Sequence, residues 1–261
     1  MTQIITSTQN QYVKQARSLA QKKFRLQTGL FLVEGANLLK DMPKDVQVEY
    51  VFATQRRLEE AQSFFSSSFD GQSSASDAFF SARAHVYCVS DEIMEYVADT
   101  VSPYGICAVC KIPSNEFAMP KGNALLLDGV SDPGNLGTIF RTAAACDFCD
   151  IYLLDTADIF SPKVVRATLG TLFKVRAYQI NQQQAVELCR NTFSAVLDMD
   201  GENILESKPS APVLLVSGNE AHGVRDCLLQ NAKKVYSLPM RNGVESLNVA
   251  VATAVAMYQS V

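Results

Sequence analysis

LPMRNGVESLNVAVATAVAMYQ, residues 238–259, reads as three pieces in a row: a strand end at Leu238, Pro239 and Met240, a turn at Asn242 and Gly243, and a helix opened by Ser246, Leu247 and Asn248. Ser and Asn before an alanine-rich run are N-cap residues, because a short polar side chain satisfies the first free amides of a helix. The helix that follows is apolar or small nearly all round, so it is expected to be buried. Two further stretches share this strand-to-corner form: DGVSDPGNLGTIFR, residues 128–141, and LLVSGNEAHGV, residues 214–224. Taken alone, each glycine is a turn residue and each cap only a cap. Glu220 fits the first turn of a helix.

The apolar runs ALLLDGV, DIYLLD, FSAVLDMD, PVLLVSG and KKVYSLPM alternate with helical stretches between residues 122 and 261. Short apolar runs bounded by turn signals predict strands buried on both faces of a parallel sheet. Ligands of such sheets bind beyond the carboxyl ends of the strands, where all three corners lie. An α/β fold in two parts follows. Residues 1–112 form a small domain with a basic helix over NQYVKQARSLAQKKFR, strands at GLFLVEG, VEYVFAT, HVYCVS and GICAVCKI, and helices at ANLLKDM and EIMEYVAD. Residues 113–121 are a linker rich in proline and polar residues, and the serine-rich segment 63–82 is a surface insertion.

Of 261 residues, 48% are hydrophobic and 19% charged, a soluble globular composition without a run long enough to span a membrane. The amino terminus has no secretory pattern, so a cytoplasmic protein is expected. The net charge is −4, yet Lys14, Arg17, Lys22, Lys23 and Arg25 precede the first acid, Glu34. That basic arm is a candidate polyanion contact or a solvated helix face.

Seven cysteines include two pairs at CxxC spacing, Cys107 with Cys110 and Cys146 with Cys149. Zinc is not expected there. The first pair lies in a strand, where residues three apart face opposite ways, and the second in a helix. His222 has no nucleophile and orienting carboxylate at useful spacing, and His85 reads as structural. Neither GxGxxG nor GxxxxGK[ST] occurs, which removes the defining residues of the Rossmann dinucleotide and P-loop readings.

Together the corners resemble the SpoU, or TrmH, family of RNA 2′-O-methyltransferases within the SPOUT superfamily. Asn135, Gly137 and Arg141 match its first motif, and Gly218, Glu220 and Gly223 its second. Pro239, Met240, Ser246, Leu247, Asn248 and Val249 match its third. The stretch SPKVVRATLGTLFKV, residues 161–175, is similar to an intermediate family segment, with Thr168 where Ser is more usual. The resemblance covers residues 122–261, and more weakly the ribosomal-protein-like α/β substrate-binding domain ahead of it. It implies a methyltransferase domain with a trefoil knot and S-adenosylmethionine bound in the knotted loops by Gly218, Asn219, Gly223, Leu238, Met240, Ser246 and Leu247. It also implies a homodimer, no metal, and a ribosomal RNA substrate in preference to a tRNA.

On the same resemblance Asn135, Arg141, Glu220, Ser246 and Asn248 serve catalysis, with Arg141 activating the ribose hydroxyl. A guanidinium is a poor base in water, so the alternative is a charged clamp on a phosphate or developing alkoxide. Two rival classes remain open. A non-catalytic RNA-binding protein would use the basic arm without needing Arg141 and the SLN corner, and a Rossmann-type oxidoreductase would need the missing glycine fingerprint.

Overall fold

The computed structural model describes residues 4–40, 42–43, 46–65, 84–98, 100 and 102–261. Residues 66–82 of the serine-rich segment lie outside them. The chain divides into two compact units, residues 1–113 with 160–166, and residues 114–159 with 167–261.

In the first unit the elements run β1 (Ile4–Ile5), α1 (Gln11–Ser18), α2 (Lys22–Thr28), β2 (Leu30–Glu34), α3 (Ala36–Lys40), β3 (Val48–Thr54), α4 (Leu58–Phe65), β4 (His85–Val89), α5 (Asp91–Ala98) and β5 (Ile106–Lys111). The five strands form one mixed sheet in the order β1-β4-β3-β5-β2. Val13, Ala16 and Leu19 pack on Tyr50, Phe52, Val89 and Ile93. The expected single basic helix is two. The break follows from a local hydrogen bond, since Leu19 ends α1 and its carbonyl accepts from Arg25 Nη1 at 2.5 Å. Arg25 is buried by that role, whereas Lys14, Lys22 and Lys23 are exposed.

Except for residues 160–166, which belong to the first unit, the second unit continues with β6 (Ala124–Asp128), α6 (Pro133–Ala145), β7 (Asp150–Leu154), α7 (Pro162–Thr168), β8 (Arg176–Gln179), α8 (Gln182–Asn191), β9 (Ser194–Asn203), β10 (Leu214–Ser217), α9 (Asp226–Leu229), β11 (Lys234–Ser237) and α10 (Val249–Gln259). Its six strands are all parallel, in the order β11-β9-β10-β6-β7-β8. Every residue of β6, β7 and β10 is buried, as their unbroken apolar runs require. Burying each leucine of such a strand is worth about 1.5–3 kcal/mol.

Two departures concern helices. Cys146 caps α6 and Cys149 lies beyond it, so the second cysteine pair is not inside a helix. Asp147, in the left-handed region at φ 59°, turns the chain out of the helix between them. Helix α10 is only half covered. Ala250, Thr253, Ala256 and Met257 are buried, but Val251 is 48% and Tyr258 61% exposed. The sequence offers no apolar stripe to orient this helix, so its open side was not foreseeable from periodicity.

Candidate active site

The carboxyl ends of β6, β9, β10 and β11 lie along one edge of the parallel sheet, and a cleft of about 710 Å³ opens there. That volume suits a small-molecule cofactor. Its walls are Leu197, Asp198 and Met199 from β9, Ser217 of β10 with residues 218–223 after it, and Tyr236, Leu238 and Met240 from β11 and its exit. Residues 245–249, Ala252 and Thr253 from α10 and the turn before it close the last side. Gly218, Asn219, Gly223, Leu238, Met240, Ser246 and Leu247 are thus brought together in one lining. The β9 wall was missed in the sequence, where Leu197 and Met199 look like core residues. The available signal was that FSAVLDMD also ends a parallel strand.

The three corners are joined by one chain of hydrogen bonds. Asn248 caps α10, its Oδ1 accepting from the amides of Ala250 and Val251 at 2.9 and 3.3 Å. That role turns Asn248 Nδ2 toward Asn135 Oδ1, 2.9 Å away. Asn135 Nδ2 is then left to donate to Glu220 Oε1 at 2.8 Å. Each amide orientation is fixed by its neighbour, so the chain runs in one direction from the α10 amides to the Glu220 carboxylate. Asn135 is itself placed by the start of α6, where Asp132 accepts its backbone N–H at 2.9 Å and Pro133 follows the cap.

Replacing Asn248 by Ala removes both the cap and the link. The expected loss is about 0.5–2 kcal/mol of stability. Asn248→Ser restores the cap but not the reach to Asn135. Thermal unfolding should therefore separate the two variants, with Ser close to the parent. Equal losses in both would make the link to Asn135 the larger contribution.

Glu220 is not in a helix. Asn219 and Gly223 exchange backbone hydrogen bonds at 3.0 and 2.9 Å, forming a tight bridge with Glu220 at its tip. Asn219 Oδ1 accepts from the amides of Ala221 and His222, as a helix cap would, but the return of the chain at Gly223 closes the turn before a helix can follow. Gly218 is required by the fold of the loop itself. A Cβ there would run into the backbone of Gly223 and Val224, so the missing side chain makes room for the loop's own return rather than for a ligand. Gly137 likewise lets α6 approach Ala167.

Arg141 stands in the third turn of α6, exposed, with no hydrogen bond or ion pair to a described residue. It does not line the cleft. Asn135, Glu220, Ser246 and Asn248 do gather at the cleft, with Asn135 reached through its two hydrogen bonds. Among the described residues no group of three or more His, Cys, Asp or Glu side chains is placed to hold a metal ion, and no helix is long and apolar enough to cross a membrane.

Residues 122–258 match the model of the SpoU rRNA Methylase family, and residues 10–108 match an MRM3-like substrate binding domain. The chain belongs to the SpoU rRNA methylase family. It is 31% identical over 261 residues to 23S rRNA (guanosine(2553)-2′-O)-methyltransferase RlmP of Bacillus subtilis, covering 97% of each chain. A 23S rRNA (uridine(2479)-2′-O)-methyltransferase of Streptomyces viridochromogenes is 25% identical, over 98% of this chain and 91% of its own. The crystal structure of an AdoMet-bound rRNA methyltransferase from Sinorhizobium meliloti is 26% identical with a TM-score of 0.85, over 99% of this chain and 97% of that one.

Within this SpoU domain the first motif supplies Asn135 and the helix carrying Arg141. The second supplies the bridge of Asn219 and Gly223, and the third the cap of α10. Thr168, the residue that departs from the usual pattern, is fully buried at the end of α7, and its carbonyl accepts from Thr171 Oγ1 at 2.7 Å.

Proposed function

We propose that the chain transfers a methyl group from S-adenosylmethionine to a ribose 2′-hydroxyl of ribosomal RNA. The observation that carries this reading is the directed chain from Asn248 through Asn135 to Glu220, which ties the three SpoU motifs together at the rim of one cleft. The cleft suits the cofactor chemically. Leu238, Met240 and Leu247 offer apolar surface, while Asp198, Glu220 and Glu245 place carboxylates near a ligand that carries positive charge on sulfur and nitrogen. S-adenosylmethionine supplies an electrophilic methyl group; alignment and proton removal fall to the protein.

In this reading Gly218, Asn219, Gly223, Leu238, Met240, Ser246 and Leu247 hold the cofactor. Asn135, Ser246 and Asn248 orient the ribose, and Glu220 fixes Asn135. Arg141, which stands outside the lining, is assigned the negative charge that develops on the hydroxyl as it loses its proton. Alignment alone is worth up to about 7–11 kcal/mol in favourable cases. A 2′-hydroxyl distinguishes RNA from DNA, so the substrate is RNA.

Residues 1–112 are proposed as the RNA-binding domain, 113–121 as the linker and 122–261 as the catalytic domain, acting in the cytoplasm. We further propose a homodimer whose interface uses the open side of α10 with the outer face of α6. The exposed Val251 and Tyr258, and the unpaired Arg141, support it. The return of the chain from edge strand β11 to α10, packed against α6 and β10, is the path in which the family's trefoil knot would be tied.

The test is transfer of labelled methyl from S-adenosylmethionine to 23S rRNA, with the product read as a 2′-O-methylnucleoside. No transfer to any ribosomal RNA, with cofactor bound, would leave the non-catalytic RNA-binding reading. The basic arm is tested at Lys14, Lys22 and Lys23, since Arg25 is a structural residue. Reversing those three to Glu is expected to weaken RNA binding and lower the slope of log K against log salt by about 2–3, at roughly 0.7–0.9 per phosphate contact. Cofactor affinity should not change. An unaltered salt slope would make the arm a solvated face.

A further inference from the structure

The loop from Gly218 to Arg225 forms one wall of the cleft, yet only its tip touches the three-motif chain. Its two ends are anchored elsewhere. At the first end, Asn219 Nδ2 donates to the carbonyl of Gly129 at 2.8 Å, just past β6. At the second, Arg225 makes three contacts. Its backbone N–H donates to Asp128 Oδ2 at 2.9 Å, its Nε lies 2.8 Å from Asp128 Oδ1, and an Nη donates to Asp155 Oδ2 at 2.6 Å. Asp128 ends β6 and is almost wholly buried, while Asp155 follows β7 and is exposed. Asp128 Oδ1 has no aligned hydrogen bond, so the guanidinium holds it by charge. Burial pushes the Asp128 carboxyl up, and the Arg225 contacts oppose that shift.

We infer that Arg225 is a positioning residue for the cleft: by bridging Asp128 and Asp155 it fixes the 218–225 loop to the ends of β6 and β7, and so sets cofactor affinity. The inference rests on the cofactor reading of this cleft. Its geometry is independent of that reading. Arg225 is not part of the lining, and no motif of the family resemblance includes it. The bridge acts on two strands at once, which Lys, a single point charge, cannot reproduce. Loss of the bridge frees the segment that carries Gly218, Asn219, Glu220 and Gly223, all of which face the cleft.

The test uses the full chain with Arg225→Gln and Asp155→Asn, and two readouts taken well below the unfolding temperature. One is amide hydrogen exchange over residues 218–224 without cofactor, and the other is calorimetric affinity for S-adenosylmethionine. Arg225→Gln is expected to speed exchange in the loop and to weaken cofactor binding by at least about tenfold, the scale of a lost charged hydrogen bond. Asp155→Asn should act in the same direction and add little on top of Arg225→Gln, because it works through the same guanidinium. RNA affinity should stay at the parent value.

A role confined to overall stability would lower the melting temperature and leave affinity unmoved. Parent-like affinity in a folded Arg225→Gln protein overturns the inference, whether or not exchange is faster. Should that variant not fold, Asp155→Asn decides alone, and parent-like affinity there overturns it equally. Failure of the unaltered protein to bind S-adenosylmethionine would instead refute the cofactor reading. Loop exchange would then still decide whether Arg225 anchors the segment.

Discussion

Replacing Arg141 by Ala is expected to lower the single-turnover rate of methyl transfer by about 10²–10³-fold or more, the scale seen when one donor to a developing oxyanion is removed. The protein itself should hardly notice. Arg141 is exposed and bonds to no described residue, so its truncation falls among surface changes worth about ±0.5 kcal/mol. Lys keeps the charge but loses the planar fork, and should also lose most of the rate if the fork aligns the hydroxyl. Rates at saturating RNA and cofactor are the measurement, because they remove binding defects from the comparison. A distant phosphate contact would show the opposite pattern: Lys nearly active, and Ala weak only in RNA binding. A near-normal rate for Ala ends the catalytic assignment.

The second large effect is expected at Gly218. Even Ala places a Cβ against the backbone of Gly223 and Val224, where no flexible side chain can give way. The loop must open to admit it. Overpacking of this kind costs about 1–3 kcal/mol, which corresponds to roughly 5- to 150-fold in cofactor affinity if the strain falls on the cleft wall. Gly122→Ala is the control, since a Cβ there meets nothing within 4 Å. Calorimetry should show weak or absent binding for the first and parent affinity for the second. Unchanged affinity in Gly218→Ala would place the cofactor outside this cleft.

How much of this was legible in the sequence depends on what each residue has to do. The buried parallel strands β6, β7 and β10 reveal themselves by unbroken apolar runs, and the corners by glycine, proline and capping residues, because the backbone physics behind them is local; the edge strand β8, RAYQ, has no such run and was not read. Thus Asn248 announces a helix start, and the structure places a helix there. Roles that depend on distant partners were less accessible. Arg25 looked like one more cation of a basic arm, but it closes the break between α1 and α2 from a buried position. Gly218 stood in the sequence as a turn or cofactor residue, and it is a place where the chain approaches itself. Leu197 and Met199 carry no polar sign of a site at all. Their position at the end of the apolar run FSAVLDMD was the only clue.

The hydrogen bonds from Asn135 to Glu220 and from Asn248 to Asn135 span 85 and 113 positions along the chain. Contacts that far apart close late, because a long loop must be ordered before any of them contributes. During synthesis the first unit, whose sheet is complete at residue 111, has its strands available long before Asn248 is made. A nascent chain therefore passes through a stage in which it holds the proposed RNA-binding surface and no cleft. Pulse-labelled intermediates arrested between residues 120 and 240 would capture that stage as an RNA ligand that cannot react.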